Sequence, residues 1–262
     1  HVVFGEVVVI GNGIGFNRKK GEELSTEAIE KLFVLTNEKE QTNYLKLLPF
    51  IEDDIQKVII SAIELIKQKK RSPLNEHIHV AFTDHLMFAI NRIKNGLELG
   101  NPFLMETKTL YPEEFTIALD VVNMINEKLN VALPEGEAGF IALHIHSAIA
   151  NKNLSEVNQY NQLISQLIDM VEENFQLKID KESIDYMRLV RHLRFTIERV
   201  KNGEVVSEPE KIAFLLKQEY PLCYNLSWKL IKVMQQTLQK PIYDAEAVYL
   251  TMHLQRLQNK HE

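Results

Sequence analysis

The sequence predicts a mainly α-helical protein, two duplicated helical bundles preceded by a partial small β domain. Three observations carry that expectation. Asp84-His85-Leu86-Met87-Phe88-Ala89-Ile90-Asn91-Arg92-Ile93-Lys94-Asn95-Gly96 returns 107 residues on (85 to 192) as Arg191-His192-Leu193-Arg194-Phe195-Thr196-Ile197-Glu198-Arg199-Val200-Lys201-Asn202-Gly203, with His, Leu, Phe, Ile, Arg, Lys, Asn and Gly at the same offsets. Glu137-Ala138-Gly139-Phe140-Ile141-Ala142-Leu143-His144-Ile145 returns 109 residues on (144 to 253) as Glu246-Ala247-Val248-Tyr249-Leu250-Thr251-Met252-His253-Leu254. Finally, long stretches rich in Leu, Ile, Glu, Lys and Gln, with only 10 glycines and 8 prolines in 262 residues, favour helix through most of the length.

Taken in order, Val7 to Phe16 reads as strand, Asn-Gly turn, strand, because β-branched residues flank a dipeptide that tolerates φ > 0. Such a hairpin is marginal alone and needs further strands or a second copy of the chain. From Ser25 onward the pattern turns helical. Asn37 and Glu40 have the spacing of a capping box, opening a helix that Pro49 ends or kinks. An amphipathic helix follows from about Phe50 to Lys70, closed by cations that suit its negative end. The next carries His77, His79, His85 and Arg92 and stops at Asn95-Gly96.

Asn101-Pro102 marks a loop, and Tyr111-Pro112-Glu113-Glu114 opens a helix to about Asn130. Leu133-Pro134-Glu135 starts the helix bearing His144 and His146. After Asn151 the cycle restarts, with helices from about Ser155 to Gln176, from Asp180 to Val200, after Pro209, across Trp228 and over His253; the Tyr-Pro pair recurs at 220. The expected boundaries are 1–38 for the partial β domain and the start of a linker, 39–153 for the first helical domain and 154–262 for the second.

Composition narrows the function classes. With 45% hydrophobic and 25% charged residues the chain can bury real cores. A net charge of −6 argues against the whole molecule wrapping nucleic acid, though it leaves a small basic end such as Asn17-Arg18-Lys19-Lys20. The single Cys223 gives no intrachain disulfide and no thiolate metal cluster, which suits the cytoplasm. No secretory signal and no bilayer-length apolar run is visible. Because it opens on His1, the chain reads as a piece of something longer.

Helical geometry makes the repeated spacing informative. His85 and Arg92 are seven apart, as are His192 and Arg199, so each pair shares a helical stripe. Glu137 with His144 and Glu246 with His253 show the same interval. An arginine on the histidine stripe is placed to meet a phosphate with its fork of donors. Four histidines in register across a duplication are candidate functional groups; His77, His79 and His146 lack counterparts and are read as structural.

Metal chemistry fits poorly. His-Ile-His pairs point to opposite sides of a helix, and no His-Glu-x-x-His occurs. Asp84-His85 invites comparison with metal-dependent phosphohydrolases, but the second copy has Arg191 in place of the carboxylate. No metal, no cofactor and no enzymatic activity is expected. A helical metal-dependent phosphohydrolase and a non-switching interaction module are the competing classes.

Gly11-Asn12-Gly13-Ile14-Gly15-Phe16, Thr83-Asp84-His85, Leu133 to His144, Arg191-His192-Leu193-Arg194-Phe195 and Tyr249 to Leu254 resemble the BglG/LicT family of bacterial transcriptional antiterminators. Asn75-Glu76-His77-Ile78-His79 and Tyr220 to Asn225 are most similar to its glucose-responsive GlcT-type branch. The resemblance implies a small β RNA-binding domain acting as a homodimer on an antiterminator hairpin in an mRNA leader, followed by two helical phosphotransferase-system (PTS) regulation domains. It further implies phosphoryl acceptors at His85, His144, His192 and His253. Control would come from the glucose-specific PTS permease (enzyme II) on the first copy and, more mildly, from the phosphocarrier HPr on the second. Gly11, Asn12 and Phe16 match RNA-contact positions, with Asn12 standing where relatives commonly carry Lys or Arg. Arg92 and Arg199 are candidates to orient the phosphoryl groups. No insertion into a membrane is expected.

Overall fold

A computed structural model describes residues 7–10, 14, 18–19, 21–29, 31–34, 42–43, 46–97, 99–204 and 210–259. Strand β1 (Val7–Ile10) pairs antiparallel with β2 (Lys31–Val34), Val7 opposite Val34 and Ile10 opposite Lys31. Of the second strand expected just past Asn12-Gly13, Ile14 lies in a turn, and Gly15 and Phe16 fall outside the described residues. Where the sequence suggests helix from Ser25 onward, the chain makes one 3-10 turn at Thr26–Ala28, capped by Ser25, and then extends as β2. A run as short as Leu32-Phe33-Val34 carries no period that separates strand from helix, so the pairing with β1 decides. The expected cap at Asn37 also falls outside the described residues.

Among the described residues ten full α-helices follow: α1 (Asp53–Lys70), α2 (His77–Lys94), α3 (Leu104–Leu110), α4 (Pro112–Leu129), α5 (Glu135–Ala150), α6 (Leu154–Phe175), α7 (Ile184–Asn202), α8 (Glu210–Glu219), α9 (Pro221–Leu238) and α10 (Ala245–Gln258). Their ends follow from local chemistry. α1 opens on Asp53 and Asp54 and closes on Lys67, Lys69 and Lys70, complementing its dipole. Asn153 caps α6 by accepting from the Ser155 amide, and Ser183 caps α7 by accepting from that of Tyr186. Gly203 ends α7 at φ +70°. The short α3 was not expected: seven residues with two threonines give little periodicity, although the helix before the second Tyr-Pro pair is its counterpart.

The chain divides into two compact units, 1–99 with 117–151 and 100–116 with 152–262. In the first, α2 packs on α1 and on α5. Ile63 and Ile66 of α1, Phe82, Leu86 and Ala89 of α2, Ile125 of α4 and Ile141 and Ile145 of α5 are buried there. In the second, α6, α7, α9 and α10 enclose a core that includes Leu167, Tyr186, Leu193, Leu230, Met234 and Leu254. α3 belongs to this unit, packed on α6 and α7; its buried Glu106 accepts from the Tyr186 hydroxyl at 3.0 Å. No helix among the described residues is long and apolar enough to cross a membrane.

Candidate functional site

Each unit builds one histidine pair from the two helices that the repeat marks. On α2, Phe82, Leu86 and Ala89 turn inward, which leaves His85 and Arg92 along the flank facing α5. α5 is apolar around most of its circumference, so Glu137 and His144 are drawn into the same seam, both buried. The rings of His85 and His144 stand 5.0 Å apart, centroid to centroid. Phe140 lies 5.6 Å from the His85 ring, and Phe82 meets His144 edge-on. α7 and α10 repeat the arrangement: His192 and His253 are 4.8 Å apart, and Tyr249 stands where Phe140 does.

The carboxylates are the groups that the sequence left without a role at the histidines. Arg92 Nη2 donates to Glu137 Oε1, while Glu137 Oε2 lies 3.1 Å from His85 Nε2. Both of these last atoms are buried, and their contact is close without being aligned as a hydrogen bond. In the second unit Arg199 donates through Nε at 2.9 Å and Nη2 at 2.7 Å to Glu246 Oε1. Glu246 Oε2 accepts from Thr196 Oγ1 at 2.7 Å and lies 3.3 Å from His192 Nε2. Glu137 and Glu246 occupy equivalent places in the repeat, which was the available signal. What spacing could not reveal is that each touches the histidine of the partner helix rather than the one seven residues along its own.

Electrostatics act strongly on the second ring of each pair, His144 and His253. Burial, then the neighbouring His85 and His77, pushes His144 down to about 3. Burial, then His192, Arg256 and Arg188, takes His253 down to about 4 against the opposing pull of Asp185. Both rings are therefore neutral near pH 7, with lone pairs to offer. Burial alone would raise Glu246; hydrogen bonds from His192, Thr196 and Arg199 together with the Arg199 charge outweigh it and hold the carboxyl at about 2.

All six expected helical site residues are thus gathered, three per unit, with each arginine engaged by a glutamate. His77 reaches Ser147 Oγ at 3.4 Å through Nε2, and His79 is buried. Gly11, Asn12 and Phe16 lie outside the described residues. Among the described residues no group of three His, Cys, Asp or Glu side chains is arranged to hold a metal ion. The arrangement suits a group that accepts charge: paired imidazoles beside a carboxylate and a guanidinium, near enough to the surface that His192 keeps 13% and His85 16% of its side chain exposed.

Comparison with known proteins places the arrangement in a family. The PRD domain matches residues 60–148 and again 165–257, and the CAT RNA binding domain matches residues 4–42. The "PtsGHI operon antiterminator" of Bacillus subtilis (strain 168) is 55% identical over 260 residues, 99% of this chain and 92% of the relative. The "GlcA/glcB genes antiterminator" of Staphylococcus carnosus (strain TM300) is 42% identical over 258 residues, 98% of this chain and 90% of the relative. A solved structure, "Crystal structure of GlcT CAT-PRDI", is 50% identical with a TM-score of 0.50, covering 55% of this chain and 86% of that one. With a CAT RNA binding domain over residues 4–42, two PRD domains after it and antiterminator relatives that match along nearly all of this chain, the chain belongs to the BglG/LicT family of transcriptional antiterminators.

Proposed function

We propose that this chain is an RNA-binding transcriptional antiterminator whose activity is set by phosphorylation of its histidines by the sugar phosphotransferase system, and that it governs expression of glucose-permease genes. The observation that carries the proposal is the duplicated histidine pair, 5.0 Å between rings in one unit and 4.8 Å in the other, each beside its own Glu-Arg pair. The relatives' names, which point to the PtsGHI operon and to the glcA and glcB genes, support the choice of target.

In this scheme residues 1–38 hold the RNA-binding domain, with Gly11, Asn12 and Phe16 against a leader hairpin, and the domain works as a homodimer in the cytoplasm. Residues 39–153 take the inhibitory signal from the glucose permease at His85 and His144. Residues 154–262 take a milder signal from HPr at His192 and His253. A phosphoryl group adds close to two negative charges. On His85 it sets a second anion beside Glu137, and the two compete for Arg92. The pair that ties α2 to α5 is weakened, and the change in packing shifts the dimer away from the geometry that grips RNA.

Antitermination from a reporter leader tests the scheme. A chain carrying His85→Ala and His144→Ala stays active whatever the supply of phosphorylated permease; continued inhibition of that variant would overturn the proposal.

A further inference from the structure

The two units build the same three-part contact separately. In each a glutamate, 1% exposed at 137 and 3% at 246, divides its oxygens. Oε1 takes arginine N–H groups, and Oε2 faces Nε2 of the first histidine. The polar contacts of the His85 and His192 rings are made through Nε2. Nε2 of His85 is buried against its carboxylate, whereas a phosphoryl acceptor atom needs room for three equatorial oxygens and an in-line donor.

Resting on the phosphoacceptor role proposed above, we infer that Glu137 and Glu246 are positioning residues for phosphoryl transfer: each holds its imidazole as the Nε2–H tautomer and so presents Nδ1 as the accepting nitrogen of His85 and of His192. The Nδ1 lone pair attacks the phosphorus of the phosphorylated donor protein. The P–Nδ1 bond forms as the bond from phosphorus to the donor breaks, and that bond's electron pair returns to the donor. The Nε2 proton stays on the ring. The imidazole gains positive charge as the bond forms, and a carboxylate about 3 Å away stabilises it, as the aspartate of a Ser-His-Asp triad stabilises its imidazolium. In the second unit Arg199 helps to keep Glu246 ionised, in line with its depressed carboxyl. The second ring, neutral because it is buried, adds no opposing charge.

A purely structural Glu-Arg pair would fix neither the nitrogen nor the rate. The test uses the full chain with 15N-labelled histidine, phosphorylated by phospho-HPr and, separately, by phosphorylated glucose permease. Long-range 1H–15N spectra are expected to place phosphorus on Nδ1 of His85 and His192. Glu137→Gln slows labelling of His85 by roughly tenfold or more while His192 labels normally, and Glu246→Gln does the converse. Glu137→Asp and Glu246→Asp, which keep the charge, recover part of the rate, and circular dichroism confirms retained helix in every variant. Phosphorus on Nε2 of His85 or His192, label confined to His144 and His253, or unchanged rates in both Gln variants overturns the positioning role and leaves the phosphoacceptor proposal standing. Label on none of the four histidines overturns both.

Discussion

Arg199 and Glu246 are joined through two N–H donors, at 2.9 Å and 2.7 Å, across 47 residues of sequence, and Arg92 and Glu137 pair in the first unit through Nη2. Removing one partner leaves the other charge in a site built for two. Arg92 is only 8% exposed, so Glu137→Ala costs about 3–5 kcal/mol. Arg199 keeps 28% exposure and turns toward water, so Glu246→Ala costs less, about 1–3 kcal/mol. Urea denaturation of the two variants checks both the size and the order.

Acid should unfold the protein in two stages. His144 and His253 have folded-state values of about 3 and about 4, below the usual imidazole value of about 6.5. The unfolded chain therefore binds protons that the folded chain refuses. This contribution to stability is complete above about pH 6.5 and is lost as the pH falls towards those folded-state values. Glu246, depressed to about 2, contributes stability that is present above its ordinary value of 4.5 and is lost as the pH falls towards 2. In a pH series of denaturation midpoints, the double variant His144→Gln, His253→Gln loses the decline between pH 6.5 and 4.5 and shows a shallower one below it, where Glu246 still contributes.

Phosphorylation within a pair should be self-limiting. Unit charges about 5 Å apart at an effective dielectric of about 20 repel by roughly 3 kcal/mol. That is on the order of a hundredfold in occupancy. Intact mass spectra at neutral pH, taken through a titration with phospho-HPr and phosphorylated permease, should show one phosphoryl group per unit well before a second. Statistical filling of all four histidines would contradict this.

Helix ends offer a test with opposite signs. Gly96 and Gly203 both lie at φ +70°, and a Cβ at either would meet nothing within 4 Å, so Gly→Ala there costs only the backbone term, about 1–2 kcal/mol. Arg71 ends α1 in the same conformation at φ 52° and is exposed, so Arg71→Gly raises stability by about 0.5–1 kcal/mol. Thermal midpoints of the three variants read the contrast.

Much of this was legible in the sequence because it is local. The ends of α2, α4 and α5 follow from Asn95-Gly96, Pro112 and Pro134, and each cue acts within one helical turn. The repeat put His85 and His192, and His144 and His253, in equivalent places; that the two rings of each unit meet, at 5.0 Å and 4.8 Å, came from the packing of the helices. Two elements escaped. Leu32-Phe33-Val34 is too short to show a period, and α3 is too short and too rich in threonine.

The sequence by itself therefore determined the helical class, the duplication and the four histidines in register, because helical period and capping are written in neighbouring residues. Only the tertiary structure decided that Glu137 faces His85 and holds Arg92, that Glu246 does the same for His192 and Arg199, and that α3 packs with α6 and α7. Periodicity states which face of a helix seeks burial. Which helix covers that face, and therefore which carboxylate meets which imidazole across a seam some fifty residues long in sequence, is settled by side chains interlocking in a close-packed core.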